Sequence, residues 1–371
     1  MKLEGLRVLD LGMYLPTPVV TQMMVDHGAQ VISIEPPGGE PIRHLGGKGS
    51  DGESLWFNAT HRGKRSIVLN LKNPDDRETL LALCDQADVF LESFRPGVAA
   101  KLGIDADTVR TRNPKLVYCS LSAFGQSGPL GPLPGHDMTA QAYVGLVDLN
   151  GRRGSLPVPP GAPSADMISA MTAFTAILMA LYRRERTGRG DSLDIAMYDS
   201  LMAWTPHFLS FVQSEGAAAQ QRLATAVSGC AFYNIYATRD GRAVALAGLE
   251  PHYIRNFLAA IDRNDLLDAA LSESSAEQDR VITEFQALFA GEDYAHWCAF
   301  LGRLDISWAP IMTMIESFDH PHARARGMLV DTRHGPVLGT PLKFAEEPGM
   351  IGHVAPALDE HRGAILDKGF A

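Results

Sequence analysis

The chain has 371 residues, a length typical of about two domains. It is 46% hydrophobic and 20% charged, which excludes a disordered chain and a collagen-like repeat. Its 33 basic and 43 acidic residues give a net charge of −10, which disfavours general binding to nucleic acid or an anionic membrane. We expect no such partner. Charges interrupt the apolar stretches short of the about 18 residues of a membrane helix. Four scattered cysteines and a charged N-terminus that does not resemble a signal peptide predict a cytoplasmic enzyme.

The first third of the chain alternates strand-like and helix-like runs. Strands are predicted over 6–11, 31–35, 66–71, 89–94 and 116–122, and helices over 16–27 and 75–86. This alternation predicts a Rossmann-like, mostly parallel sheet with helices on both faces. Such sheets bind ligands at the carboxyl ends of their strands, where the loops are 12–18, 36–49, 93–97 and 123–135.

A stretch rich in Pro and Gly, 129–163, precedes the strongest predicted helix. Ser164 is the expected N-cap, and Gly188 follows the last turn. The helix is apolar nearly all round, so we expect it to be buried. A strand over 193–197 and a helix over 198–214 follow.

A composition change at 214–223 indicates a linker. Beyond it, a hairpin around Arg239–Gly241 and helices near 251–262 and 275–303 indicate a smaller α+β domain. The predicted organisation is a large α/β domain over 1–205, a linker over 206–225 and a small domain over 226–327.

Sequence motifs bear on three classes of ligand: a dinucleotide, a metal ion and a small polyanion. Glu35 ends the second strand, where a ribose-binding acid would lie, but the preceding turn GMYLPTP lacks G-x-G-x-x-G, which disfavours a dinucleotide. His320 and His322 flank a proline and predict a turn, and no metal site is expected. Several basic residues lie near strand ends and fit either a small polyanion or a solvated face; they are Arg43, Arg62, Lys64, Arg65 and Arg95.

Three residues are candidates for acid–base chemistry, each with a simpler alternative. Asp166 lies in the first turn of the apolar helix, whose dipole would stabilise its carboxylate, although helix capping is the alternative. His136 precedes Asp137 and suits proton transfer near neutral pH, unless it is an ordinary loop histidine. Glu250 follows an apolar strand, where it is either a site residue or a capping acid.

Taken in chain order, several motifs resemble the family III CoA-transferase superfamily (CaiB/BaiF type), which includes the 2-methylacyl-CoA racemases. The resemblance covers nearly the whole chain and rests on these segments: GLRVLDLG, GAQVISIEPPGGEP, HRGKRSIVLNLK, FLESFRPG, LSAFGQSGP, GHD, TGRGDSLDIAMYDSL and HPHARARGM.

The resemblance implies an acyl-CoA enzyme and assigns its site. In the racemase branch the active site is a His in GHD, an Asp thirty residues later and a Glu in LEP, which here are His136, Asp166 and Glu250. This implies racemisation of a 2-methylacyl-CoA by two-base 1,1-proton transfer through an enolate. The alternative is a CoA transferase that uses Asp166 as nucleophile, although such enzymes usually carry an aromatic residue at 136. Ala140, where racemases often have Tyr, and the lack of Arg near Pro36 depart from the racemases.

The resemblance also implies an assembly and a ligand. Members form interlocked homodimers, so Glu250 would reach His136 from the other subunit, and 328–371 would return to the large domain. No tightly bound cofactor is implied, because coenzyme A is part of the substrate. The implied CoA-binding residues are Arg43, Arg62, Lys64, Arg65, Asn70, Lys72, Arg95, Gly97 and Asp137.

Overall fold

The computed structural model describes residues 1–49, 52–150, 156–215, 229–332, 335–352 and 354–371. Its contacts divide the chain into two units. The first comprises Met1–Val144, Gly161–Trp204 and His320–Ala371, and the second comprises Gly145–Pro160 and Thr205–Asp319. The predicted linker starts on a helix, Pro206–Glu215, and its part from 216 to 225 lies outside the described residues.

The first unit contains a six-stranded parallel sheet in the order β3-β2-β1-β4-β5-β6. This confirms the predicted Rossmann-like fold class. The strand order reverses between β1 and β4, which is where doubly wound sheets open a crevice for ligands. The strands are β1 (Arg7–Leu11), β2 (Gln30–Glu35), β3 (Arg65–Val68), β4 (Val89–Glu92), β5 (Val117–Ser122) and β6 (Ser192–Ala196).

Among the described residues before 205, eight α-helices belong to this unit. They are α1 (Pro16–Asp26), α2 (Leu55–His61), α3 (Pro74–Cys84), α4 (Val98–Leu102), α5 (Ala106–Arg112), α6 (Asp137–Val144), α7 (Ser164–Thr187) and α8 (Met197–Ala203). Local chemistry fixes several of their ends. Pro16 opens α1, where its missing N–H costs no hydrogen bond, and the Asn73 side chain accepts the Asp75 N–H at the start of α3.

The core of the first unit lies along the sheet. Leu9, Ile32, Ile67 and Phe90 are fully buried, as expected for strands whose two faces are both covered. The C-terminal segment adds to this core through Ile365 on the helix Arg362–Lys368. The same segment carries an antiparallel hairpin, Leu329–Thr332 with Gly335–Leu338. The predicted turn at His320–His322 is instead the start of a short helix, Pro321–Ala325, with His320 at its N-cap.

Helix α7 differs from its prediction in two ways. Ser164 is the first helical residue rather than the N-cap, because Pro163 occupies the cap position. Met179 and Tyr182 are 67% and 68% exposed, so α7 presents an apolar outer face instead of being buried all round. By length and composition, α7 is also long and apolar enough to cross a membrane, which the sequence analysis did not expect. A helix in the core of a globular protein can have the same length and composition.

The second unit contains a small antiparallel sheet, β7 (Tyr233–Ala237), β8 (Ala243–Ala247) and β9 (Trp308–Pro310). The predicted hairpin is confirmed, and Gly241 takes a φ of 79° in its turn. Its core is aromatic, with Phe257, Phe285 and Phe289 fully buried. Its helices include Pro206–Glu215, Pro251–Ala260, Leu267–Ala270, Ser275–Phe289, Tyr294–Leu301 and Met314–Asp319.

Two predicted long helices are each divided. The helix predicted over 198–214 stops before Pro206, because the residue preceding a proline disfavours helical geometry. The helix predicted over 275–303 ends at Phe289, and a new one starts after Asp293, whose side chain accepts the His296 N–H as an N-cap. The segment Gly291-Glu292-Asp293, which separates the two apolar runs, is the sequence feature that marks this division.

Candidate active site

Two cavities open at the carboxyl ends of the parallel strands. The first, here the β1–β3 cavity, has a volume of about 400 Å³ and is bounded by residues that follow β1, β2 and β3. The second, here the β1–β4 cavity, has a volume of about 420 Å³ and is bounded by residues that follow β1, β4 and β5. Met13 and Phe94 belong to both walls. Both cavities therefore lie where the sequence analysis expected ligands.

His136 and Asp166 both line the β1–β4 cavity. His136 directly precedes α6, and its carbonyl accepts the Thr139 and Ala140 N–H groups. The glycine before it is required by close packing, because a Cβ at Gly135 would lie 2.6 Å from the Ala123 Cβ. The loop that contains His136 therefore packs closely against Ala123, which directly follows β5.

Asp137 connects the segment that carries His136 to the start of the helix that carries Asp166. Its Oδ1 accepts the Ala165 N–H at 2.7 Å and the Asp166 N–H at 3.2 Å, and its Oδ2 accepts the Gln141 amide at 2.6 Å. The residue after His136 therefore supplies the missing cap of α7. The family resemblance implies a CoA-binding role for Asp137, whereas in the structure both of its carboxylate oxygens accept hydrogen bonds from within the protein.

The ionisation of Asp166 differs from the sequence expectation. Burial, and secondarily the charge of Asp137, raises the pKa of Asp166 to about 7. The expected stabilisation by the helix dipole is therefore outweighed. A carboxyl that titrates near neutral pH can both accept and return a proton under physiological conditions.

The backbone of α7 does not offer free donors to a ligand, which corrects a second expectation. The Ser164 and Met167 N–H groups donate to the carbonyls of Ala162 and Pro163. The two N–H groups between them, at 165 and 166, donate to Asp137. All four N-terminal N–H groups are occupied, so only the helix dipole remains to favour a developing negative charge.

Four predicted binding residues lie on or beside the cavity walls. Asn70 and Lys72 line the β1–β3 cavity, and Arg95 lines the β1–β4 cavity. Gly97 precedes α4 with a φ of 80°, a conformation that glycine adopts without strain. Lys72 and Arg95 are exposed and form no ion pair within the part of the chain that is described.

The other predicted cations are not brought to these walls as free charges. Arg43 makes a bidentate pair with Glu35, Arg62 pairs with Asp26, and all four groups are buried. Lys64 is buried against Asp10 at 3.0 Å. Arg65 donates to the Gly369 carbonyl and lines a separate cavity beside the start of β2. Neither a solvated face nor a single basic cluster describes this set.

Glu250 lies in the second unit, at the N-cap position of the helix Pro251–Ala260. Its side chain is exposed and forms no capping hydrogen bond to the helix. Simple capping, the alternative given for this residue, therefore does not describe it.

Two residues at the site were missed in the sequence analysis. The ring of Tyr14 packs edge-on against the His136 imidazole, with centroids 5.7 Å apart. Glu40 is buried in the wall of the β1–β3 cavity and accepts the Tyr14 N–H at 2.6 Å. Glu40 lies in the quoted segment EPPGGEP, but its partner is 26 residues away, so no local pattern marks the contact.

The first unit thus has a Rossmann-like fold, and at the switch point of its sheet His136 and Asp166 line one cavity. The family model of CoA-transferase family III matches residues 3–362, and the chain belongs to this family. A CaiB/BaiF family protein from Brucella suis has a similar structure, with a TM-score of 0.85 and 28% identity, covering 99% of this chain and 98% of that one.

Characterised relatives fall into two reaction classes. An acetyl-CoA:oxalate CoA-transferase of Acetobacter aceti is 34% identical, covering 99% of this chain and 95% of the relative. The alpha-methylacyl-CoA racemase of Homo sapiens is 31% identical, covering 99% and 93%. Relatives of both kinds match over nearly their whole length, so overall similarity does not distinguish the reactions.

Proposed function

We propose that this enzyme racemises the α-carbon of a 2-methylacyl-CoA by moving a proton between two side chains. The observation that carries the proposal is that His136 and Asp166 share one cavity while the pKa of Asp166 is raised to about 7. Inverting a carbon next to a thioester requires proton removal from one side and return on the other, and each group must change protonation state near neutral pH.

The two side chains act as alternate acid and base. For one enantiomer the Asp166 carboxylate removes the α-proton, the electron pair moves onto the thioester oxygen as an enolate, and the His136 imidazolium returns a proton to the opposite side. For the other enantiomer the roles reverse. The positive end of α7 favours the enolate charge. Glu250 is proposed to orient His136, supplied by the partner subunit of a homodimer.

The CoA portion is proposed to extend through both cavities, with its nucleotide end in one and its thioester end in the other. The nucleotide fits the β1–β3 cavity beside Asn70 and Lys72, and the thioester lies in the β1–β4 cavity beside Arg95. Gly97 allows the chain after Arg95 to turn. Arg43 supports the wall of the β1–β3 cavity through Glu35, and Lys64 supports it through Asp10, which accepts the Gly12 N–H. CoA is the substrate's carrier rather than a resident cofactor.

A CoA transferase is the second candidate, favoured by the 34% identity to the acetyl-CoA:oxalate enzyme. In that reaction the Asp166 carboxylate attacks the thioester carbonyl and expels the CoA thiolate, giving a mixed anhydride. The thiolate then attacks the aspartyl carbonyl and releases the first carboxylic acid as its carboxylate. A second carboxylate reverses these steps and leaves with CoA. This route gives His136 no proton to move, which is why racemisation is preferred.

The experiment is to incubate the protein with a 2-methylacyl-CoA in deuterated water without a carboxylate acceptor. Racemisation predicts deuterium at the α-carbon. In His136→Ala, inversion should be lost and exchange should persist only for the enantiomer that faces Asp166, whereas the control His322→Ala should retain inversion and exchange from both enantiomers. No deuterium, together with CoA exchange on adding a free acid and a hydroxylamine-trapped adduct at Asp166, would refute racemisation and establish transfer.

A homodimer is proposed as the working form. The support is the exposed apolar face of α7, which carries Met167, Met171, Met179 and Tyr182. Analytical ultracentrifugation should give twice the mass of 40.2 kDa. A monomer that retains full activity would contradict this proposal and with it the supply of Glu250 by a partner.

The cytoplasm is the proposed location. All four cysteines are free thiols, with Cys84 and Cys119 buried, as is usual in a reducing compartment.

A further inference from the structure

The loop after β1 is held by three side chains that each accept one backbone N–H. Asp10 accepts that of Gly12 at 3.0 Å, Ser93 accepts that of Met13 at 3.1 Å, and Glu40 accepts that of Tyr14 at 2.6 Å. Three successive N–H groups are therefore fixed from three different segments of the chain.

Tyr14 is the strained residue in this loop. Its φ is 66°, in the left-handed region that non-glycine residues populate sparsely, so the surrounding contacts must impose it. The Glu40 carboxylate supplies such a contact at the Tyr14 backbone. The resulting backbone directs the Tyr14 ring to its edge-on position against the His136 imidazole.

Glu40 is unusual among the buried acids around it. Glu35 is neutralised by Arg43 and Asp10 by Lys64, whereas the Glu40 carboxylate accepts the N–H groups of Tyr14 and Ile42 and forms no ion pair with any residue that the structure describes. Burial, followed by the charges of Glu35 and Asp10, raises the pKa of Glu40 to about 7. Because burial and the neighbouring acids destabilise the Glu40 carboxylate, it depends strongly on hydrogen bonds from its two N–H donors.

We propose that Glu40 is a positioning residue for His136 and acts through the left-handed backbone and the ring of Tyr14. The inference rests on the proposed role of His136 as a base. Glu40 also forms part of the wall of the β1–β3 cavity, so the same carboxylate joins the proposed nucleotide end of the site to its proton-transfer end.

The first test is a double-mutant cycle on α-proton exchange. Tyr14→Gly keeps the left-handed backbone accessible but removes the ring, and Glu40→Ala removes both hydrogen bonds. Each is expected to lower kcat by about 10- to 100-fold with KM unchanged, because a small displacement of a base has a large effect on rate. The double variant should be no slower than the worse single variant. Tyr14→Phe keeps the ring and should lose less activity than Tyr14→Gly, and the exposed control Glu346→Ala should match the wild type.

Additive losses, or a rise in KM alone, would overturn the inference and leave Glu40 a wall residue. If Glu40→Ala does not fold, Glu40→Gln is used, because its amide oxygen accepts only one of the two N–H groups.

A second readout does not depend on activity. In the full-length protein labelled with carbon-13 histidine, the His136 imidazole resonance, assigned with His136→Ala, should shift in the same direction in Glu40→Gln and Tyr14→Gly and stay in place in Tyr14→Phe. Glu40→Ala, which removes both acceptors, decides the point: an unshifted resonance in that variant would refute the connection. If the wild type exchanges no α-proton, the proposed function fails, while this resonance still decides the role of Glu40.

Discussion

Asp137 has two effects at the site: its side chain caps the start of α7, and its charge raises the pKa of Asp166. Two substitutions of Asp137 can separate these effects. Asp137→Asn keeps an oxygen for the two α7 N–H groups but removes the charge, whereas Asp137→Ala removes both. An N–H left without an acceptor costs about 1–3 kcal/mol, so two of them at a half-buried helix end predict a loss of about 2–4 kcal/mol in the free energy of unfolding for Asp137→Ala. Asp137→Asn should lose less than about 1 kcal/mol, since Asn and Asp cap helices almost equally well.

The charge has a separate signature in pH dependence. The folded-state pKa of Asp166 is raised to about 7, so its contribution to stability is fully present below the unfolded pKa of about 3.9 and is lost as the pH rises through 7. Asp137→Asn removes one cause of this increase. The pKa of Asp166 should fall, and the loss of stability between about pH 4 and 7 should become smaller.

Denaturant unfolding from pH 4 to 8 measures both effects, and the carbon-13 shift of the Asp166 carboxyl gives its titration directly. Equal destabilisation by Asn and Ala would refute the capping argument. An Asp166 titration unchanged in Asp137→Asn would refute the argument from charge.

Three further predictions concern a lysine, a glycine and an arginine. For the first two, a residue of the same type in a more open position serves as the control. Lys64→Met leaves Asp10 buried and unpaired and should lower the free energy of unfolding by about 3–5 kcal/mol in denaturant titrations, whereas exposed Lys72→Met should leave stability unchanged and weaken CoA binding in calorimetry. Gly135→Ala forces a Cβ to within 2.6 Å of Ala123 and should cost about 1–3 kcal/mol and displace His136. Its control, Gly161→Ala, meets no atom within 4 Å and should be neutral by thermal unfolding. Arg95→Gln should raise KM for an acyl-CoA and leave stability unchanged; an unchanged KM would remove Arg95 from the binding surface.

The parallel sheet was predictable because its strands are continuous apolar runs. Val8, Leu9, Val31 and Ile32 are all buried, and each run is followed by a loop rich in Gly or Pro. The position of both cavities then follows from the rule that ligands bind at the carboxyl ends of such strands. Where helices divide was less predictable. The short break Gly291-Glu292-Asp293 interrupts the apolar run, but only the folded chain shows that Asp293 caps a new helix there.

The charged residues of the site could not be assigned from local sequence. Lys64 lies 54 residues from Asp10, and Arg43 reaches back to Glu35 across a loop, so no spacing rule distinguishes these buried pairs from free cations. The raised pKa of Asp166 could not be predicted from sequence for a related reason. Helix position favours its ionised form, but the opposing burial and the nearby Asp137 arise only in the folded chain.

The most direct measurement of the two-base assignment uses the separate enantiomers of a 2-methylacyl-CoA in deuterated water. His136→Gln and Asp166→Asn should each abolish inversion. Each should still exchange the α-proton of one enantiomer, the one that faces the remaining base, and the two variants should select opposite enantiomers. Loss of exchange from both enantiomers in only one variant, with normal inversion in the other, would contradict proton transfer between His136 and Asp166.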